Sequence, residues 1–415
     1  MRIGEFRREI VGPVVRLAAT IEWEDCGFTA EELCFEVEGA DPGEVVASPE
    51  TLAVRAALAA LHQKERRVLV EGALCPRLRD GLRAALRTVK GWYSLGHEAP
   101  VIEASRGFRA LTPPSPHAAL FLSGGADSLF VLQSNRAAYP PDHPSSFRTA
   151  VFEPNFGARL EAVASPRVRN LLSRQRVSIS EIARRTGLRL VSARAFGTEL
   201  REDPAFTASS SHGARLAAPA HLLSALSSIS IAASFDATDL HPWGSHPLLD
   251  SNYSSSSLEV RHEAYGFDRL ERVASVSEWK EILPFLLVCS QGPLESGQTN
   301  CGRCEKCLRT MIELLLANAL SEDGPFRARD VEAGLLEGLV VAPESLGHWE
   351  GFPGLLRRAG RAELARLADA LIAGSRRSRD WAEDRGWKGA LRRLDRRLLG
   401  SRLLETRRRI SSNSS

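Results

Sequence analysis

Leu120–Phe130 reads LFLSGGADSLF. Apolar residues run into Ser123-Gly124-Gly125-Ala126-Asp127-Ser128, and a helical pattern opens at once. A strand that ends in glycines and gives way to a helix builds an anion cradle. Glycine lets the backbone come close to an anion and adopt dihedrals that other residues avoid. The first N–H groups of a helix have no partner within it, and the helix dipole adds a positive end, so phosphate is favoured there. Ser123 and Ser128 add hydroxyl donors. Asp127 is the unexpected member, because a carboxylate repels phosphate; it makes sense where it holds Mg²⁺ or orients a donor. The plainer alternative is a glycine turn with Asp127 or Ser128 as helix N-cap. No G-x-x-x-x-G-K-S/T is present, so this is not a Walker loop.

Outward from this loop the chain alternates strand and helix. His117–Leu122, Arg148–Glu153, Leu188–Arg194 and Ile229–Ala233 read as strands. Ser128–Ala137, Arg167–Thr186 and Leu216–Ser228 read as helical. That alternation predicts a doubly wound parallel sheet. Upstream, Leu111–Pro116 (LTPPSP) is a proline-rich break taken as a domain boundary. Residues 1–111 form an expected α/β accessory domain. Its strands are Val14–Trp23, Glu32–Glu38 and Arg67–Glu71, and its helices are Ser48–Leu61 and Arg77–Val89. Ser48 is the expected N-cap, with Pro49 at the first helical position. Residues 112–320 are the expected nucleotide domain, and 321–415 a helical extension with a basic tail.

Composition narrows the class. The 415 residues are 43% hydrophobic and 25% charged, which excludes wholesale disorder. No run approaches the ~18–20 apolar residues of a membrane helix. MRIGEFRREI lacks an apolar segment of the kind a secretory signal carries. The net charge of +3 excludes a uniformly basic nucleic-acid coat. It is an average over unlike parts: Arg376–Ser415 carries +8, which leaves −5 on the rest.

The seven cysteines are also unevenly placed. Cys26, Cys34 and Cys75 are scattered and read as core thiols. Cys289, Cys301, Cys304 and Cys307 crowd into 19 positions. Asn300–Arg309 reads NCGRCEKCLR, with C-x2-C-x2-C spacing that lets thiolates point at one centre. Four thiolates satisfy tetrahedral Zn²⁺ and close its shell, which indicates a structural ion. Gly302 eases the turn, Arg303 and Lys306 offset thiolate charge, and Phe285–Val288 is an apolar segment that as a strand would deliver Cys289. An Fe–S cluster is the runner-up, although the bacterial ferredoxin run needs a following Cys-Pro that is absent. A redox or sulfur-carrying cysteine is the third reading. Reduced thiols of this kind fit a cytoplasmic protein.

The order S-G-G-x-D-S after the first strand of an α/β domain resembles the PP-loop of the N-type ATP pyrophosphatases. The same loop followed by C…C-x2-C-x2-C is most similar to 7-cyano-7-deazaguanine synthase-like members of that superfamily, over about Ala118–Leu316. The resemblance implies an adenine-nucleotide alpha hydrolase-like fold with a zinc knuckle, and the cofactors ATP, Mg²⁺ and Zn²⁺. It implies a cytoplasmic ligase that cleaves ATP to AMP and pyrophosphate. A carboxylate or carbonyl oxygen is adenylated and then attacked by ammonia or an amine. By motif, Ser123, Gly124, Gly125, Asp127 and Ser128 would bind ATP, with Asp127 and Ser128 catalytic. Cys289, Cys301, Cys304 and Cys307 would bind zinc. The family's glycine–tyrosine–proline–aspartate–cysteine–arginine segment is not found; Pro242–Asp250 (PWGSHPLLD) stands in the comparable place. Alternatives are a tRNA-modifying thiolase-type enzyme and a non-catalytic nucleotide-binding adaptor in a biosynthetic or defence system.

Two segments with little periodicity, Gly197–Gly213 and Phe235–Ser257, are expected over the carboxyl ends of the strands, where open α/β sheets bind ligands. They hold Glu199, Asp203, His212, Asp236, Asp239, His241, Trp243, His246 and Asp250 as substrate candidates. Arg261, Arg269, Arg272 and Lys280 are candidate phosphate neutralisers, and Glu153-Pro154-Asn155 lies where adenine is expected. The expected partners are a small-molecule or peptide substrate, a protein at the N-terminal domain, and a second copy of the chain. Leu391–Ile410 has leucines at helical spacing between arginines, compatible with RNA or an anionic membrane surface but without aromatics to stack on bases.

Overall fold

The computed structural model describes residues 1–154, 166–198, 200–291, 294, 297–339, 341–342 and 345–383. Ten strands are β1 (Arg2–Val11), β2 (Val14–Glu22), β3 (Glu31–Glu38), β4 (Arg67–Val70), β5 (Val101–Ala104), β6 (Ala118–Phe121), β7 (Phe147–Phe152), β8 (Arg189–Phe196), β9 (Ser228–Ala232) and β10 (Glu259–Glu263). They form one sheet in the order β10-β9-β6-β7-β8-β3-β2-β1-β4-β5. The block from β10 to β8 is wholly parallel. Counted within itself, its order is 5-4-1-2-3, that of a doubly wound sheet, and the order reverses between β6 and β9.

β3 joins this block antiparallel to β8, β2 and β1 follow antiparallel, and β4 and β5 then run parallel to β1. The seam at β3 is marked by charge. Glu36 lies opposite Arg16 on one side and Arg194 on the other. Its carboxylate accepts from Arg16 Nη2 at 2.7 Å and Arg194 Nε at 2.7 Å. Residues on both sides of the proline-rich stretch at 111–116 therefore belong to one sheet. Compactness divides the chain elsewhere: one unit is 1–301 with 321–327, the other 302–320 with 328–415.

Two helices lie between β3 and β5, α1 (Pro49–His62) and α2 (Pro76–Trp92). Ser48 and Pro49 start α1 at the expected positions, but the Ser48 hydroxyl makes no capping bond to the helix backbone. From Glu50 to Leu61 every residue is buried, as suits a segment rich in Ala, Leu and Val on all faces. Its two buried charges are answered. Glu50 accepts from Ser48 Oγ at 2.8 Å and the Cys75 N–H at 3.0 Å, and Arg55 meets Glu202 at 3.3 Å. Beyond β6 come α3 (Ala126–Ala138), α4 (Pro166–Thr186), α5 (His212–Ala220) and α6 (Arg269–Glu278). The second unit contains α7 (Glu305–Leu316), α8 (Phe352–Arg358) and α9 (Ala362–Glu383). It is organised around Trp349, which is fully buried and edge-on to Phe352 at 5.4 Å.

Two expectations are corrected, and three strands join those expected. The helix read at Leu216–Ser228 is α5, which ends at Ala220, just after Pro219. Leu222, Leu223 and Leu226 enter the core from turns, so their apolar spacing imitates a helix. Phe285–Val288 is not a strand; a 3₁₀ turn at Leu283–Phe285 leads into extended coil. Strands β1, β5 and β10 are not among the expected strands, since none shows the alternation of a half-buried strand. β1 is mostly exposed and shifts register between Gly4 and Arg7, β5 is a short edge strand, and in β10 only Val260 is buried. The basic segment 391–410 lies outside the described residues.

Candidate nucleotide loop and metal centre

The SGGADS loop leaves β6 at the carboxyl edge of the parallel block, where the strand order reverses. Gly124 has φ +75°, and a Cβ there would meet Ser178 Oγ at 3.1 Å and Ile179 Cγ1 at 3.6 Å, so this turn requires glycine. Its carbonyl accepts from the Leu287 N–H at 2.9 Å. Gly125, not Asp127 or Ser128, is the N-cap of α3, and it has no side chain to occupy the helix's positive end. The serines brace the turn. Ser128 Oγ donates to the Gly125 carbonyl at 3.0 Å and lies 3.1 Å from Ser123 Oγ, which accepts from the Gly125 N–H at 3.3 Å. Ser128 is buried and Ser123 exposed.

Asp127 has arginine partners. Arg269 Nη1 donates to one carboxylate oxygen at 2.8 Å and Arg272 Nη1 to the other at 2.9 Å. Arg272 is 1% exposed and also donates to the carbonyls of Ala233 (2.6 Å), Phe235 (3.3 Å) and Phe267 (2.9 Å). Both carboxylate oxygens of Asp127 are thus engaged by guanidiniums. Two of the four proposed neutralisers stand beside the loop; Arg261 instead pairs with Glu259 at 2.7 Å.

Beyond β9, Phe235 packs on His241 at 4.3 Å and on Trp243 at 5.5 Å. The main chain of Phe235 is held by Arg272, so this aromatic group is tied to the loop through one guanidinium. Several substrate candidates have structural work. Asp203 accepts from the Phe206 N–H at 2.7 Å and Asp236 from the Thr238 N–H at 2.8 Å, both as turn formers. His246 caps a short helical turn through the Leu248 N–H at 3.0 Å and packs edge-on to Trp92. Asp250 is fully buried, accepting from Ser245 Oγ and meeting His262 Nδ1, each at 2.7 Å. Glu199 and Asn155 lie outside the described residues.

The ligating sulfurs of Cys289, Cys301, Cys304 and Cys307 all lie within 4.8 Å of one another. Four sulfurs at about 2.3 Å from a tetrahedral zinc stand about 3.8 Å apart, so the group fits a zinc-sized ion. Gly302 turns with φ +67°, Cys304 is the N-cap of α7, and Cys307 lies in its first turn, where the helix dipole favours thiolate. The Cys289 sulfur accepts from the Gln291 N–H at 3.3 Å. Asn300 does what a strand was expected to do. Its Oδ1 accepts from the N–H groups of Val288 (2.9 Å) and Cys289 (3.1 Å), while Nδ2 donates to the carbonyls of Leu286 (2.8 Å) and Pro325 (3.2 Å). Asn300 carries no such signal in the sequence; its burial and its four partners come from the fold.

Comparison with protein-family models, with curated proteins and with solved structures gave no match to this chain. No described helix is long and apolar enough to cross a membrane.

Proposed function

We propose that the chain is an AMP-forming ATP pyrophosphatase of the PP-loop type, acting as a ligase of the 7-cyano-7-deazaguanine synthase-like kind. One observation carries the reading: a glycine-rich strand-to-helix loop at the reversal point of a 5-4-1-2-3 parallel block. ATP would lie with its phosphates against Gly124, Gly125 and the first turn of α3. Arg269 and Arg272, fixed by Asp127, supply positive charge beside the leaving pyrophosphate, and Mg²⁺ would accompany the nucleotide. The acceptor oxygen, once adenylated, is attacked by ammonia or an amine, which forms the new bond to carbon as AMP departs. Phe235, His241 and Trp243 offer an aromatic wall for a planar acceptor. Zinc at the four cysteines would be structural, since four thiolates leave no open position.

Calorimetry with Mg·ATP tests this reading. Saturable binding is expected, weakened by Ser123→Ala, which leaves the core intact but removes a hydroxyl donor and its bonds to Gly125 and Ser128 in the loop. Pyrophosphate release should follow when a carboxylate acceptor is supplied. Absence of ATP binding by the intact chain refutes the proposal. Sulfur transfer in place of C–N bond formation would require a cysteine free of metal, so zinc content with all four thiols protected argues against the thiolase alternative.

A further inference from the structure

A cavity of about 480 Å³ opens on the opposite edge of the sheet from the SGGADS loop. Because β1, β4 and β5 run against the β6–β10 block, their carboxyl ends lie on the edge where β6, β9 and β10 begin. The cavity is lined from Gly72 and Ala73 after β4, Arg106 and Arg109 after β5, the start of α1, and the segments that precede β6, β9 and β10. Its size is that of a small-molecule site, and its position, at carboxyl strand ends beside a helix N-terminus, is where such sites form.

Its polar groups are sorted by sign. Arg106 and Arg109 are exposed at the cavity, and among the described residues neither guanidinium has a hydrogen-bond or ion-pair partner. Deeper in stand Glu50, 2% exposed, and His221, 7% exposed. His221 Nε2 lies 2.8 Å from the Tyr253 carbonyl, so it carries the proton and donates. That leaves Nδ1 as an acceptor without a hydrogen bond, in a ring more than nine-tenths buried that belongs to the cavity lining. Burial holds the ring neutral by lowering its affinity for a proton, which keeps Nδ1 an acceptor. Glu50 spends its carboxylate on Ser48 and Cys75 and retains lone pairs. Leu223, Leu226 and Leu258 supply an apolar middle.

We propose that this cavity binds a small organic acid, its carboxylate at Arg106 and Arg109 and an N–H or O–H at its other end donating to His221 Nδ1 and Glu50. The site is separate from the loop assigned to ATP and does not depend on that assignment.

The test uses the full-length chain and three probes that carry an acid and a donor at opposite ends: 4-hydroxybenzoate, 4′-hydroxybiphenyl-4-carboxylate and indole-5-carboxylate. Saturable binding by ligand-observed NMR is expected for at least one. It should weaken roughly tenfold or more for the methyl ester and for Arg106→Ala/Arg109→Ala, which removes only exposed side chains. Replacing the phenol by a methoxy group should weaken it as well, because His221 and Glu50 can only accept. Saturating Mg·ATP should leave it unchanged. No saturable binding by any probe overturns the proposal. So does binding that survives the double substitution, that tolerates loss of the donor, or that ATP displaces.

Discussion

Replacing Asp127 by Asn keeps the side chain's shape and removes its charge. Arg272 then loses its counter-ion while 1% exposed, and Arg269 loses the carboxylate that orients it. Removing one partner of a fully buried pair costs about 3–5 kcal/mol. Asp127 is a quarter exposed and Arg272 keeps three carbonyl acceptors, which reduces the figure to about 2 kcal/mol. At about 2 °C of melting temperature per kcal/mol in a large unit, the expected fall is about 4 °C. Thermal melts of wild type, Asp127→Asn, Arg272→Met and the double variant, all without nucleotide or Mg²⁺, form the assay. The double variant should lie well above the sum of the single losses, with a coupling of about 2 kcal/mol. If Asp127 serves chiefly as a Mg²⁺ ligand, Asp127→Asn will melt within about 1 °C of wild type, the coupling will vanish, and Arg269 and Arg272 do not depend on its charge.

The purified chain should carry one zinc per molecule by elemental analysis, and Cys304→Ser should lower that content and destabilise the knuckle. Gly124→Ala forces a non-glycine residue to φ +75° against Ser178; a loss of about 1–2 kcal/mol in denaturant melts is expected, together with impaired nucleotide binding. Burial alone would raise the Glu36 carboxyl, but the guanidiniums of Arg16 and Arg194 hold it below the ordinary carboxylate value. Its stabilisation is therefore complete above the unfolded value of about 4.3 and is lost as pH falls through the lower folded value. Glu36→Gln should be less stable than wild type at neutral pH, with the gap closing in acid, as read by melts across a pH series.

The residues that carry the loop announced themselves because their chemistry is local. Ser123–Ser128 needs only a strand before it and a helix after it, and both were legible from apolar spacing. The cysteine spacing was legible for the same reason. The clip that holds Cys289 was not, because Asn300 acts across a chain reversal rather than along a helix or strand. The partners of Asp127, Arg269 and Arg272, stand out in sequence as candidate phosphate or adenylate neutralisers; that both converge on one carboxylate depends on where α6 packs. The substrate candidates in 235–257 looked equivalent in sequence. Folding separates them, since Asp236 and His246 are used by the backbone and Asp250 is walled in, while Phe235, His241 and Trp243 cluster. Strands β1, β5 and β10 escaped notice because pairing, more than burial, defines them: β5 and β10 are the sheet's edges, and β1, though paired on both sides, is mostly exposed.

The antiparallel seam bears on how this chain can be handled. A cut in the proline-rich stretch at 111–116 would look natural from sequence, yet it would strip β3 from β8. Each half would then show a long row of unpaired N–H and C=O groups, with Phe35 and Val37 on one strand and Val191 and Ala193 on the other no longer covered. Raw strand edges of that kind are templates for pairing with any other chain. Fragments made at that boundary are therefore candidates for inclusion bodies, and the row Arg16–Glu36–Arg194 is the fastening that makes residues 1–111 inseparable from the sheet they complete.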